Sequence, residues 1–126
     1  MSIPVDVTRL AETLADFGPG YLLTVSPQDR VKVLRVDVRA EGALLVASGP
    51  SPGSGANLAA NPAVTLVFEP AQPHGFSLIV DGVGRAVGDD FEVTSESAIL
   101  HRPSAHADGP PAPVTRSDGP AGQSMT

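Results

Sequence analysis

The chain has 126 residues, 41% of them hydrophobic and 17% charged, which fits one globular domain and excludes wholesale disorder. Its net charge of −6 argues against non-specific binding to nucleic acid or an anionic membrane, because both need a basic face. There is no cysteine, so disulfides, thiol nucleophiles and thiolate metal sites are excluded.

Residues 5–17 carry Leu10, Leu14 and Phe17 at helical spacing, with Arg9, Glu12 and Asp16 elsewhere on the wheel. Asp6 suits an N-cap, and Gly18-Pro19-Gly20 is a firm stop. An amphipathic helix covering one end of a sheet is expected. Tyr21 to Val25 has strand composition, Ser26-Pro27-Gln28-Asp29 has turn chemistry, and Val31 to Val38 follows at once, which predicts a hairpin. In its second strand Val31 and Val33 share a face with Arg35, Asp37 and Arg39, while Leu34, Val36 and Val38 lie opposite. Such a slip of phase points to a bulge, a barrel bend, or burial on both faces. Ala40-Glu41-Gly42 makes a second turn. Ala43 to Ser48 is nearly continuous in apolar character and is expected to be a central strand.

The stretch Gly49 to Leu66 compresses a loop, a helical turn, a stop and a new strand. Its loop offers Gly49, Gly53 and Gly55, with Ser51 and Ser54 hydroxyls. Ala56, Leu58, Ala59 and Ala60 favour helix, and Asn61-Pro62 ends it. A serine-bearing loop entering a helix leaves amides open to an anion, most often phosphate. The plainer reading is a capped helix, with Ser51 or Ser54 as N-cap. Val64 to Phe68 is a fourth strand. Gly75 to Val87 is a fifth, in which Gly82 and Gly84 permit a sharp bend or close approach of another backbone. Phe91 to Leu100 reads as a last strand or a short helix, and Glu92 and Glu96 lean to helix. Residues 1–100 form the domain; 101–126, rich in Pro, Gly and Ser, read as a flexible tail. Strands joined by short turns, with little helix, predict a mainly β fold and a small barrel rather than a βαβ sheet.

Other constellations are weak. The glycine-rich loop lacks the Gly-Lys-Ser/Thr ending of a nucleotide P-loop. His74, His101 and His106 have no carboxylate pattern that completes a metal site. Asp89-Asp90 reads as a solvated turn, and Tyr21 as a barrel-rim residue. No serine lies in a strained-elbow motif, and no dedicated acid–base pair is visible. That pattern agrees with chemistry carried by a cofactor, which the protein binds, orients and shields. No leader-like or membrane-spanning apolar run is visible, so a cytoplasmic protein is expected.

The order of parts then resembles a known family. A hairpin, a strand ending in Ser48, the segment S-G-A-N-L-A-A-N-P-A-V-T-L and the later V-D-G-V-G-R-A are similar to the pyridoxamine 5'-phosphate oxidase-like split barrels, over roughly residues 8–100. The resemblance implies a homodimer of six-stranded split β-barrels with flanking short helices. It implies FMN at the dimer interface, with F420 or haem in some relatives, and oxidoreductase activity on a small molecule. A non-catalytic ligand-binding or haem-binding member is the alternative, with His74 as the candidate haem ligand. The family's phosphate is held by a basic pair before the helix; here the paired positions are Gly53 and Ser54. The implied cofactor-binding residues are Lys32 and Arg35 on the second strand, Ser48 and Gly49 ending the third, and Ser51, Ser54 and Asn57. No metal site, nucleic acid or membrane partner is implied.

Overall fold

A computed structural model describes residues 1–49 and 51–103. Seven strands and two short α-helices follow one another as β1 (Ser2–Val5), α1 (Leu10–Leu14), β2 (Gly20–Val25), β3 (Val31–Glu41), β4 (Leu44–Ser48), α2 (Pro52–Ala60), β5 (Ala63–Phe68), β6 (Ser77–Val87) and β7 (Asp90–His101). The strands β7-β4-β3-β2-β5-β6 are neighbours in that order, all antiparallel. Pairing of β6 back onto β7 closes a six-stranded barrel. Strand β1 lies outside the closed set, on β7.

The long strands make closure possible by changing partners along their length. Residues 31–36 of β3 pair with β2, and residues 37–41 pair with β4. Likewise β7 pairs with β4 over residues 90–94 and with β1 over 98–101. The expected bulge in β3 is absent, since both of its pairings run in regular register. Nor are both faces buried: Val31 and Val33 stand on the outer face, 61% and 58% exposed. The register shift lies instead between β6 and β7, where Glu96 of β7 is the extra residue opposite the Asp81–Gly82 step. Gly82 and Gly84 are where the sequence predicts a bend or close approach, and Gly82 runs against the Thr94 carbonyl.

Inward residues fill the barrel. Leu22, Leu45, Leu66, Phe68, Leu78 and Val80 are fully buried, and α1 adds Leu10. The two helices plug opposite ends. Phe17, just after α1, stacks obliquely on Phe68, with ring centroids 6.3 Å apart. At the far end Asn57 of α2 donates to the Thr24 hydroxyl at 3.1 Å.

Two expectations need correction. The helix foreseen over residues 5–17 is shorter, because Ser2–Val5 is taken into β1 by pairing with β7. A 3₁₀ turn, Val7–Arg9, precedes α1, and Asp6 does cap it by accepting the Thr8 amide at 2.9 Å. The Phe91–Leu100 ambiguity resolves as strand: β7 has partners on both edges, and that pairing outweighs the helix propensity of its glutamates. Of the expected tail, residues 101–126, His101 is the last residue of β7, and residues 104–126 lie outside the described residues. Among the described residues no helix is long and apolar enough to cross a membrane.

Candidate functional site

The site is built around the start of α2. Ser51 is the N-cap, and its hydroxyl accepts the Ser54 amide at a long 3.5 Å. Pro52 has no amide to offer, and Gly55 N–H donates to the Ser51 carbonyl at 3.0 Å. The Gly53 amide is left without a partner among the described residues. Lys32 comes to this same point. It lies opposite Thr24 in the β2–β3 ladder, and Thr24 is tied to Asn57 of α2. A methyl carbon placed on Gly53 would sit 2.6 Å from the Lys32 Nζ. The missing side chain of Gly53 is therefore space that the Lys32 ammonium uses. Among the described residues Lys32 makes no ion pair.

An ammonium at the amide end of a helix is poorly placed on its own. The helix dipole puts partial positive charge there, so the two repel unless an anion lies between them. The helix start thus has one full cation beside it, supplied by β3, and one amide without a partner among the described residues.

Most of the other expected donors are committed elsewhere. The Ser51 hydroxyl caps the helix. Ser54 is fully buried, and its Oγ has no partner among the described residues. Asn57 is buried and spends its amide on Thr24. Ser48 donates to an Asp90 carboxylate oxygen at 3.1 Å. Gly49 turns the chain at φ 151°, with no room for a Cβ beside the Arg35 carbonyl. Arg35 is an odd number of residues from Lys32, so it stands on the outer face of β3, away from α2 of its own chain. Lys32, Ser51, Gly53 and Ser54 are thus brought together, Ser48 and Gly49 lead into them, and Arg35 is not.

Sequence reasoning missed the second flank. A cleft of about 200 Å³ beside α2 is lined by Ser51, Pro52, Gly55, Asp89 and Asp90. The pair read as a solvated turn therefore faces the helix start. No local pattern announces this, because Asp90 reaches Ser48 across 42 residues of chain.

Removing a buried hydroxyl that has no partner costs no hydrogen bond. Ser54→Ala is therefore expected to hold or raise the melting temperature, by up to about 1 kcal/mol of stability. A clear loss in a thermal melt would show that Ser54 has a partner.

The opposite end of the barrel suits an anion less well. A cleft of about 560 Å³ there is lined by Glu12, Asp16, Phe17, Phe76 and Leu100 among others, and brings two carboxylates rather than a cation. The shifted pKa values belong to this end too. The Thr8 hydroxyl and amide hold Asp6 below its ordinary range, and the Arg9–Glu12 hydrogen bond lowers Glu12 and raises Arg9. All three are fully exposed and have no catalytic partner. His74 lies in the β5–β6 loop with a left-handed φ of 63°. His101 Nδ1 lies 3.0 Å from the Ser2 hydroxyl. No group of three metal-ligating side chains occurs among the described residues.

Comparison with known proteins agrees with this architecture. No family model matches the chain. Two uncharacterized proteins, from Mycobacterium bovis and Mycobacterium tuberculosis, are each 32% identical, covering 91% of this chain and 89% of the relative. Among solved structures, an F420 reductase aligns with a TM-score of 0.56 at 19% identity, over 69% of this chain and 94% of its own. A FAD-binding protein from Mesorhizobium loti aligns at 0.60 and 18% identity, over 79% and 96%. A candidate pyridoxamine 5'-phosphate oxidase from Listeria innocua aligns at 0.61 and 13% identity, over 75% and 96%. At these identities the structural likeness speaks for the fold.

Proposed function

The chain belongs to one family with the two mycobacterial proteins, its fold is that of the pyridoxamine 5'-phosphate oxidase-like split barrels, and on that premise we propose that it is a homodimeric flavin- or deazaflavin-dependent oxidoreductase acting on a small molecule. The observation that carries this reading is the Lys32 ammonium brought against Gly53 at the start of α2. A lone cation at the positive end of a helix calls for an anion, and the phosphate of a flavin-type cofactor supplies one. Fold neighbours named for F420 and FAD support the choice of ligand. Such a cofactor supplies hydride and electron transfer when bound. This chain's part is to anchor it: Lys32 and the Gly53 amide hold the phosphate, Ser51 fixes the helix start, and the Asn57–Thr24 bond locks α2 to the barrel.

The test is a visible and mass spectrum of the protein as purified, followed by titration with FMN and F420. Binding should change absorbance or fluorescence. Lys32→Met should weaken it by about tenfold or more, the loss of one charge-assisted hydrogen bond, while leaving the melting temperature unchanged. No spectral change with either cofactor overturns the reading. Turnover of a reducible substrate with NADPH or reduced F420 separates an oxidoreductase from a protein that binds without catalysis.

The homodimer has its own basis. Val31 and Val33 pair across the ladder with Val25 and Leu23, which places four apolar side chains together on the outer face. A contiguous exposed apolar patch marks an interface. Val33→Glu is expected to shift the protein to monomer in light scattering after size exclusion, because it puts a charge into a desolvated contact. A wild-type protein that is itself monomeric at micromolar concentration removes this part of the proposal.

A further inference from the structure

The cleft at the α1 end takes no part in the cofactor reading above. Phe17, Phe76 and Leu100 give it apolar walls, two of them aromatic, and Glu12 and Asp16 border it. Glu12 is engaged by Arg9 at 2.8 Å. Asp16 is exposed and makes no ion pair among the described residues. The cleft thus offers aromatic surface with one uncompensated carboxylate beside it. The chain passes out of the described residues at this same place. Leu100 is part of the wall, and the Arg102 guanidinium carbon stands 4.6 Å from the centroid of the Phe76 ring. Residue 104 therefore starts no more than about 14 Å from Leu100.

The sequence beyond that point complements the cleft. Residues 110–116 read P-P-A-P-V-T-R, and Arg116 is the only lysine or arginine in 104–126. Pro110, Pro113 and Arg116 recur at every third position. Proline favours the polyproline II conformation, which has three residues per turn, so this spacing sets two proline rings and one guanidinium on a single edge. Aromatic-lined grooves bind proline-rich segments of this kind at low entropic cost, because the conformation is already formed. A short tether to the cleft also raises the effective concentration to about millimolar, so weak docking suffices.

We propose that residues 110–116 of the chain's own tail dock in the cleft at the α1 end, with Pro110 and Pro113 against the Phe17 and Phe76 rings and Arg116 against Asp16. The occupant is the same chain rather than a second copy or an outside partner, because the tail begins at the cleft wall and carries the one cation that Asp16 lacks. The cleft is then filled by the protein itself. It is closed to other ligands while the tail is in place, and it leaves the α2 end untouched.

The test is the amide NMR spectrum of the isotope-labelled full-length chain, wild type against Arg116→Glu. The substitution changes no residue of the barrel, so any shift of a barrel amide reports contact through space. Signals of Asp16, Phe17, Phe76 and Leu100 should move, and those of α2 should not. Adding Asp16→Lys to Arg116→Glu reverses both charges and should return the cleft signals toward their wild-type positions. Unmoved cleft signals in Arg116→Glu overturn the proposal, and so do shifts centred on any other surface. An equal mixture of labelled wild type and unlabelled Arg116→Glu chains identifies the donor of the tail. The labelled cleft signals should stay at wild-type positions; a second set would assign the tail to a partner chain and overturn docking within one chain. Trypsin gives an independent readout, because Arg116–Ser117 is the one bond after lysine or arginine in 104–126. Its cleavage in the full chain, followed by mass spectrometry, should be about two- to fivefold faster in Asp16→Asn than in wild type, the worth of one exposed ion pair. Equal rates overturn the placement of Arg116 against Asp16.

Discussion

Gly82→Ala is expected to be the most damaging single-methyl change in the barrel. A Cβ at this position would run into the Thr94 carbonyl, and would stand 3.0 Å from that carbonyl's carbon and 3.2 Å from the Ser95 Cα. The obstacle is paired backbone, which cannot swing aside as a side-chain tip can. Gly82 also sits at the register shift where β6 bends to follow β7. That seam closes the barrel. To admit the methyl, the two strands must separate at the point where the closed topology depends on them. Overpacking alone costs about 1–3 kcal/mol, and broken ladder bonds add to it, so a loss of about 3 kcal/mol or more is expected. For a domain of this size that lowers the melting temperature by over about 12 °C. Gly42→Ala is the proper control. Gly42 has φ 67° in the β3–β4 turn and nothing within 4 Å of a built Cβ, so only local strain opposes the change. Its expected cost is about 1–2 kcal/mol. Equal drops for both variants would show that backbone conformation, not the Thr94 contact, sets the need for glycine at 82.

The contrast between these two glycines explains what the amino-acid sequence discloses. Strand composition and turn residues placed β2 through β6 within a few positions of their observed bounds, because those signals are local. The motif around Ser54–Leu66 carried the fold family, because its glycines, helix and Asn-Pro stop occur in a fixed order. Strand β1 was not legible: Ser2–Val5 is a strand only because β7 offers it an edge nearly 100 residues away in sequence. The apparent phase slip in β3 was misleading for a related reason. Alternation is normal there: Leu34, Val36 and Val38 turn inward, while Val31 and Val33 stand exposed on the outer face. Among the site residues, Lys32 was named from its charge, but its closeness to Gly53 was not foreseeable. It depends on the β2–β3 register and on α2 capping that end. Asp89 and Asp90 were set aside because an acidic pair in a turn is ordinarily solvated. Their place beside Ser51, Pro52 and Gly55 comes from where α2 begins, which no local pattern reports.

Position matters to the α2 end for the same reason. α2 is held by one buried hydrogen bond, Asn57 to Thr24, and by Leu58 in the core. Thr24 stands across the ladder from Lys32. Lys32 and the start of α2 are therefore held near each other through two residues on two elements. A site assembled this way tolerates a surface change near it better than a change in the barrel that shifts β2.

Phe68 is the residue on which the α1 end of the barrel most depends. It is fully buried, its ring meets Phe17 beside α1, and it packs flat against the bare Cα of Gly20 on β2. Phe68→Ala removes the ring and leaves a cavity that rigid strands cannot close, so a loss of about 3–5 kcal/mol is expected. That is a large share of the roughly 5–15 kcal/mol that holds a typical domain together. Gly20→Ala approaches the same contact from the other side. Its methyl would lie 2.7 Å from the Phe68 Cε1, 2.8 Å from Cδ1 and 3.1 Å from the Val67 carbonyl oxygen. Alone it is expected to cost about 1–3 kcal/mol by overpacking. Combined with Phe68→Leu, whose side chain vacates the ring edge, it should cost much less, with a coupling of about 1–2 kcal/mol in a double-mutant cycle from urea melts. A coupling near zero would assign the glycine requirement to the Val67 carbonyl, since that atom stays in place whichever side chain stands at 68.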